Sequence, residues 1–557
     1  MADDDAGWGM RARTRVVGRF LFYFLGGFAL FTLDPFGFDR ITDYYSERII
    51  QLAFSPFYES GTPVWNDGRD AAWLHPPDER GEGSAVTVVM LDKSTTEQLE
   101  LPWPIPYKNH GILLDRVLKS CPRALFIDFR FLRVHREGEV RHLERVLLNF
   151  FGVEGTEEAS PWERLAEAPP GGIAPGRLSG AHECESQIAS GALDLPPGHF
   201  RAGTFPLFFA HADELDTPLI GRLGLFGRAL PTRFVTAGRV SDYHGGYPLA
   251  LSFAEKAGDT KESEEGDDDV ATPAVALYRV FRGVPAAQAI EPPDPDDFLG
   301  KMYLRWGYWM SPRQPDYRDG MVGCETRCGM TGVAGGILPV LKSVELLVGS
   351  LVSGARGRDE ANALYCPPIL EIPAQLPMHI GTPPDAYRDD LRGRLVLYGG
   401  NLSQTPDLAF SPVQGPIPGV YVHAMALDNL LTMGPKGYAT RLSEGWSRAI
   451  ELVLLAILAF FAVRRKETRD DTYVEQAAEP WQADRTDLFL FFRAVGLSLL
   501  IAVAGISVSF IGQFAPANFI GLLAASGVIG VLQSSGLFHC VRWVARKLDR
   551  RVFDSRD

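Results

Sequence analysis

Three short apolar runs end in groups able to hold a ligand. Ala85–Leu91 (AVTVVML) is followed by Asp92, Arg123–Phe129 (RALFIDF) contains Asp128, and Gly393–Tyr398 (GRLVLY) leads into Gly399-Gly400-Asn401. Carboxylates and an amide at the carboxyl ends of parallel strands stand where open α/β sheets bind ligands. The expectation is therefore a shallow ligand pocket made by Asp92, Asp128, Gly399, Gly400 and Asn401. The competing reading is that the two acids cap following helices and loops by accepting backbone N–H bonds. Trp103-Pro104 reads as a packing corner. His423 reads as a satisfied, partly buried histidine, with only Asp428 nearby as a metal-type neighbour. Of six cysteines, Cys324 and Cys328 in GCETRCG are candidates for a small disulfide loop, Cys184 and Cys366 for a long-range pair, and Cys121 for a free buried thiol. Connectivity cannot be read from spacing alone. There is no Gly-x-Ser-x-Gly elbow, His-Glu-x-x-His, phosphate loop or dinucleotide fingerprint. The expectation is no enzyme, no cofactor and no metal.

The elements that must position these groups follow from apolar patterning. Ala85–Leu91 suits a strand buried on both faces. Ser94 with Glu97 predicts a capping box. Asn109–Ser120 carries Ile112, Leu113, Val117 and Leu118 at helical spacing, and Arg123–Phe129 is a second strand. A crossover of this length makes the two strands parallel. Far downstream, Gly393–Tyr398 is another strand, and Val420–Leu431 predicts an amphipathic helix between Gly419 and Gly434. The fold class expected is an α/β domain with a largely parallel sheet built from both ends of the region, interrupted by a long insertion near 150–390. The acidic run Glu255–Asp269 within it reads as a disordered surface loop.

Around this region the sequence has the marks of a membrane protein. Residues 494–512 and 515–538 are uncharged and about as long as the roughly 20 residues a bilayer core requires. Trp446–Val463 is apolar except for Arg448 and Glu451, which can reach the headgroups. Phe20–Leu33 is shorter, 14 residues, and reads as an uncleaved signal anchor spanning 19–36. Arginine and lysine flank the first run on its amino side, the 464–490 loop at both ends, and the 541–557 tail. By the positive-inside rule this predicts four transmembrane helices, an 18-residue cytoplasmic N-terminal tail, and residues 37–443 on the far side of the membrane from the cytoplasm. No segment expected inside is long enough to bury a core. The formal net charge of −14 argues against nucleic acid as a partner.

The segment VTVVMLDKSTTEQLELPWPIPYKNHGILLDRVLKSCPRALFIDFRF resembles the opening of the second type of CHASE domain, a family of bacterial extracytoplasmic sensors. Thr236–Leu249 (TAGRVSDYHGGYPL) is similar to a middle stretch of the family, although Gly245-Gly246 departs from it and no Arg-Arg pair follows. LRGRLVLYGGNLSQTPDLAFSPVQGPIPGVYVHAMALDNLL resembles its closing strand and helix, with Gly399, Asp407, Pro412, Pro418-Gly419 and His423-Ala424 at the matching positions. The resemblance spans roughly 40–440 and implies a sensor. Members generally continue into a signalling domain, and none follows in this sequence, so the expected output partner is a separate cytoplasmic protein. The alternative is an envelope scaffold that docks another protein; an exported hydrolase is the third reading. Small residues at four-residue spacing in the last two apolar runs fit packing within the bundle or, alternatively, a homo-oligomer.

Overall fold

The computed structural model describes residues 47–58, 85–129, 180–201, 204–211, 233–236, 246–252, 269–311, 313–317, 341–346, 368–379, 381–402 and 407–441, with single positions and runs of two or three residues between and beyond them. The chain divides into a unit Gln51–Thr440 and a unit made of Met1–Ile50 and Arg441–Asp557. The four runs expected to cross the membrane belong to the latter and lie almost wholly outside the described residues. Among the described residues no helix is long and apolar enough to span a bilayer. Cys324, Cys328, Cys366 and most of the acidic run at 255–269 also lie outside them.

Within Gln51–Thr440, strand β1 (Val86–Asp92) leads through helices α1 (Lys93–Gln98) and α2 (Tyr107–Lys119) to β2 (Ala124–Ile127). Then come α3 (Gly180–Ala189), β3 (Leu207–His211), β4 (Arg233–Thr236), and an antiparallel pair, β5 (Ala250–Ser252) with β6 (Asp269–Ala271). Helix α4 (Pro273–Phe281), β7 (Leu370–Pro373) and β8 (Leu395–Asn401) follow. The ribbon β9 (Leu408–Ser411) and β10 (Gly415–Pro418) precedes the last helix, α5 (Val420–Met433). Six strands form one sheet in the order β4-β3-β2-β8-β1-β7, every pairing parallel.

Strand β8, late in the chain, slides between β1 and β2, so both ends of the region do share one sheet. The insertion is not a separate appendage, however. Strands β3, β4 and β7 come from it, and each has only four or five residues, too few to stand out by periodicity.

Alternation along the strands sorts the core into two layers. Val89, Leu91, Leu125, Ile127, Val396 and Tyr398 face α2 and α3 on one side. Val86, Val88, Phe126, Leu395 and Leu397 face α4 and α5 on the other. Each such side chain, fully withdrawn from water, contributes roughly 1.5–3 kcal/mol. Helix α5 corrects an expectation: Val420–Thr432 is buried throughout, so the helix is enclosed rather than amphipathic. It stops at Gly434, whose φ of 76° closes the last turn with an N–H to the Leu430 carbonyl, 2.9 Å.

Candidate functional site

The sheet brings all five predicted site residues to one edge. Asp92 is the register partner of Asn401 across β1 and β8, and the Asp128 N–H donates to the Tyr398 carbonyl at 2.8 Å. Asp92 also has structural work there. Its carboxylate caps α1, accepting from the Thr95 N–H at 2.8 Å, the Thr95 hydroxyl at 2.7 Å and the Ser94 hydroxyl at 2.9 Å. The cap is thus Asp92 and not the expected Ser94–Glu97 box, because the strand turns into the helix two residues earlier. Asp407 joins the same edge. Its carbonyl accepts the Gly419 N–H at 2.7 Å, and its carboxylate lies against Gly419 at the start of α5.

The two glycines let other parts come close. A Cβ on Gly399 would stand 2.5 Å from the Val420 Cβ, and one on Gly400 would stand 3.0 Å from the Phe129 ring. Helix α5 is therefore seated directly on β8, with Phe129 over the next residue. Gly399→Ala is expected to destabilise the protein by about 1–3 kcal/mol, because Val420 is fixed by the first turn of a buried helix. The urea midpoint of the detergent-solubilised chain reads this; an unchanged midpoint would mean that α5 does not sit on β8.

Just below the edge, one histidine–tyrosine pair lies on each face of the sheet. His110 Nδ1 is 2.8 Å from the Tyr398 hydroxyl, and His423 Nδ1 is 2.9 Å from the Tyr247 hydroxyl. Burial drives the His110 pKa down to about 4 and that of His423 to about 3, so both rings are neutral. Burial likewise raises both tyrosines. His423 is satisfied, as expected, and more deeply buried than expected. Neither ring faces solvent; the first pair ties α2 to β8, and the second ties α5 to the segment just before β5. Trp103 departs from the packing-corner expectation, since its side chain is 46% exposed.

Sequence reasoning missed a second polar group, where the chain enters and leaves this unit. The Tyr58 hydroxyl donates to the Asp428 carboxylate at 2.6 Å and accepts from the Asn429 amide at 3.1 Å. Burial, then the Asp428 charge, lifts the Tyr58 phenol well above its usual pKa. Asn429 also exchanges hydrogen bonds with the Arg305 backbone, at 2.8 and 3.0 Å. The signal was present: Asp428-Asn429 interrupts a mostly apolar helix, and buried charge requires partners. Edge strand β7 is closed in a similar way. The Gln314 side chain accepts the Glu371 N–H at 2.7 Å and donates to its carbonyl at 2.9 Å, occupying the place of a further strand.

The cysteines also correct the sequence reading. Cys121 is not a free thiol but is disulfide-bonded to Cys184, joining the start of β2 to α3. Cys184 is accordingly not paired with Cys366.

The described residues thus define a three-layer α/β domain with an acid-rich carboxyl edge, and they contain no group of three metal-ligating side chains placed to hold an ion. Residues 346–462 match the family model of the CHASE2 domain, a family of extracytoplasmic sensor domains. The match covers β7, β8, α5 and most of the apolar run after them; it does not extend to the opening segment around β1 and β2. No curated protein and no solved structure matches the chain.

Proposed function

We propose that this protein is a membrane-anchored extracytoplasmic sensor. Four helices anchor it in the inner membrane, and residues 37–443 face the periplasm. It binds a ligand or partner at the β1–β8–β2 edge and passes the change to a separate cytoplasmic protein. The observation that carries this reading is the CHASE2 match, which runs from the sheet through α5 and into the apolar run Trp446–Val463. The Cys121–Cys184 disulfide supports export, because such bonds persist in oxidising compartments. Asp92, Asp128, Asp407 and Asn401 suit a ligand rich in donors or positive charge. The chemistry is binding without catalysis, and the 464–490 loop, which opens on the basic cluster Arg464-Arg465-Lys466, and the basic 541–557 tail are the contact points inside.

A docking protein of the envelope is the second reading, favoured by the β9–β10 ribbon, which exposes Leu408 and Phe410. Crosslinking in intact membranes with peptide mapping separates the two. The sensor reading predicts a cytoplasmic signalling enzyme attached through 464–490 or 541–557, with its activity altered by Asp92→Asn combined with Asp128→Asn. An envelope protein attached at Leu408 and Phe410, with nothing attached inside, would replace that reading with the docking one.

A further inference from the structure

Four of the large apolar side chains exposed on the Gln51–Thr440 unit stand on segments that are, or are hydrogen-bonded to, the entering and leaving chain. Phe57 is 37% exposed, Leu299 37%, Leu341 56% and Val344 54%. Phe57 lies on the entering segment itself. Leu341 and Val344, three residues apart, share one face of the helical turn 341–346. Ser343 between them donates its hydroxyl to the Ala53 carbonyl at 2.8 Å. On the leaving side, the Leu299 N–H donates to the Pro435 carbonyl at 3.2 Å, and the Tyr438 hydroxyl donates to the Leu299 carbonyl. One strut joins both sides: Gln51 donates to the Leu304 carbonyl at 2.6 Å, and the Tyr303 N–H to the Ala439 carbonyl at 2.7 Å. The four side chains therefore belong to one end of the domain, and exposed Lys301 and Lys436 lie at the same end.

Clustered exposed apolar surface marks an interaction site, and the length of the connecting chain indicates what covers this one. From Thr440 the sequence reaches Trp446, the first residue of an apolar run, in six steps, which extend at most about 20 Å. If that run enters the bilayer at Trp446, the membrane surface lies within about 20 Å of Thr440. A surface tethered so closely has an effective concentration that a freely diffusing second copy cannot match. Apolar side chains bordered by lysines are also the composition of interfacial membrane contacts, where the lysine stems lie along the apolar boundary and the ammonium groups reach phosphates.

We propose that this end of the domain rests on the lipid surface, with Phe57, Leu299, Leu341 and Val344 entering the headgroup–acyl boundary and Lys301 and Lys436 pairing with anionic headgroups. The proposal rests on the reading of 446–463 as a membrane span. The test uses the full chain in vesicles of phosphatidylcholine and phosphatidylglycerol doped with a carbene-generating lipid, followed by peptide mapping. Peptides containing Leu299 and Leu341–Val344 should be labelled several-fold more than those containing Trp103 or Leu408–Phe410. Leu341→Glu combined with Val344→Glu should remove most of the label at that turn. Label in 446–463 with none above background at Leu299 and Leu341–Val344 would overturn the docking face alone. Absence of label from 446–463 as well would overturn the membrane reading beneath it.

Discussion

Between pH 7 and pH 5 the folded protein should lose roughly 4 kcal/mol of stability through two histidines alone. His110 and His423 titrate near 6.5 when unfolded, but burial holds them at about 4 and about 3 in the fold. Both folded-state values lie below the unfolded one. Over the interval between them the unfolded chain therefore binds more protons. The stability is complete above the unfolded value and drains away as pH falls below it, at up to about 1.4 kcal/mol per pH unit for each ring. Each contributes about 2 kcal/mol of the loss by pH 5. Thermal unfolding of the detergent-solubilised chain across this range measures the slope. Glutamine at both positions should flatten it, and each single His→Gln variant should remove about half. A slope untouched by the double variant would mean that the rings are hydrated, and that the Tyr398 and Tyr247 contacts do not enclose them.

Replacing Cys121 and Cys184 together by alanine should cost about 2–5 kcal/mol. The bond closes a loop with a sequence separation of 63 and fixes α3, which belongs to the insertion, to the turn between α2 and β2. Both sulfurs lie in the buried layer beneath the sheet, so the wild-type bond should resist mild reductant until the domain opens. Alkylation under denaturing conditions, followed by peptide mass analysis, should find these two cysteines unmodified without reductant. Modification of both, together with an unshifted midpoint in the double variant, would show that the link does not form.

The parts of the fold legible in the sequence were those with strong local signals. Strands β1, β2 and β8 are unbroken apolar runs ending in turn residues. Helix α2 repeats apolar residues every three to four positions, and α5 is framed by Gly419 and Gly434. The crossover length made β1 and β2 parallel, and the like character of the run Gly393–Tyr398 put β8 in the same sheet, which brought Asp92, Asp128 and Asn401 to one edge. What escaped depended on contacts between distant residues. The pairing of Cys121 with Cys184 is set by how α3 packs beneath β2, which no spacing records. Strands β3, β4 and β7 are too short to carry a period and owe their extended form to neighbours in the sheet. The Tyr58–Asp428 bond joins residues 370 positions apart. Only the presence of a charge on a mostly apolar helix hinted that some partner must exist. Asp92 shows a third kind of limit: an acid at a strand end can cap a helix and line an edge at once, and residue type alone does not separate the two roles.

In the proposed sensor the α/β domain stands outside the membrane, while the loop at 464–490 and the tail at 541–557 stand inside. Alkaline phosphatase and green fluorescent protein fusions in a bacterial host test this arrangement most directly. The account predicts phosphatase activity, without fluorescence, for junctions within 130–180 and after Arg441. It predicts the reverse for junctions within 464–490 and at the C-terminus. Fluorescent fusions within 130–180, lacking phosphatase activity, would place the sheet in the cytoplasm and contradict the account.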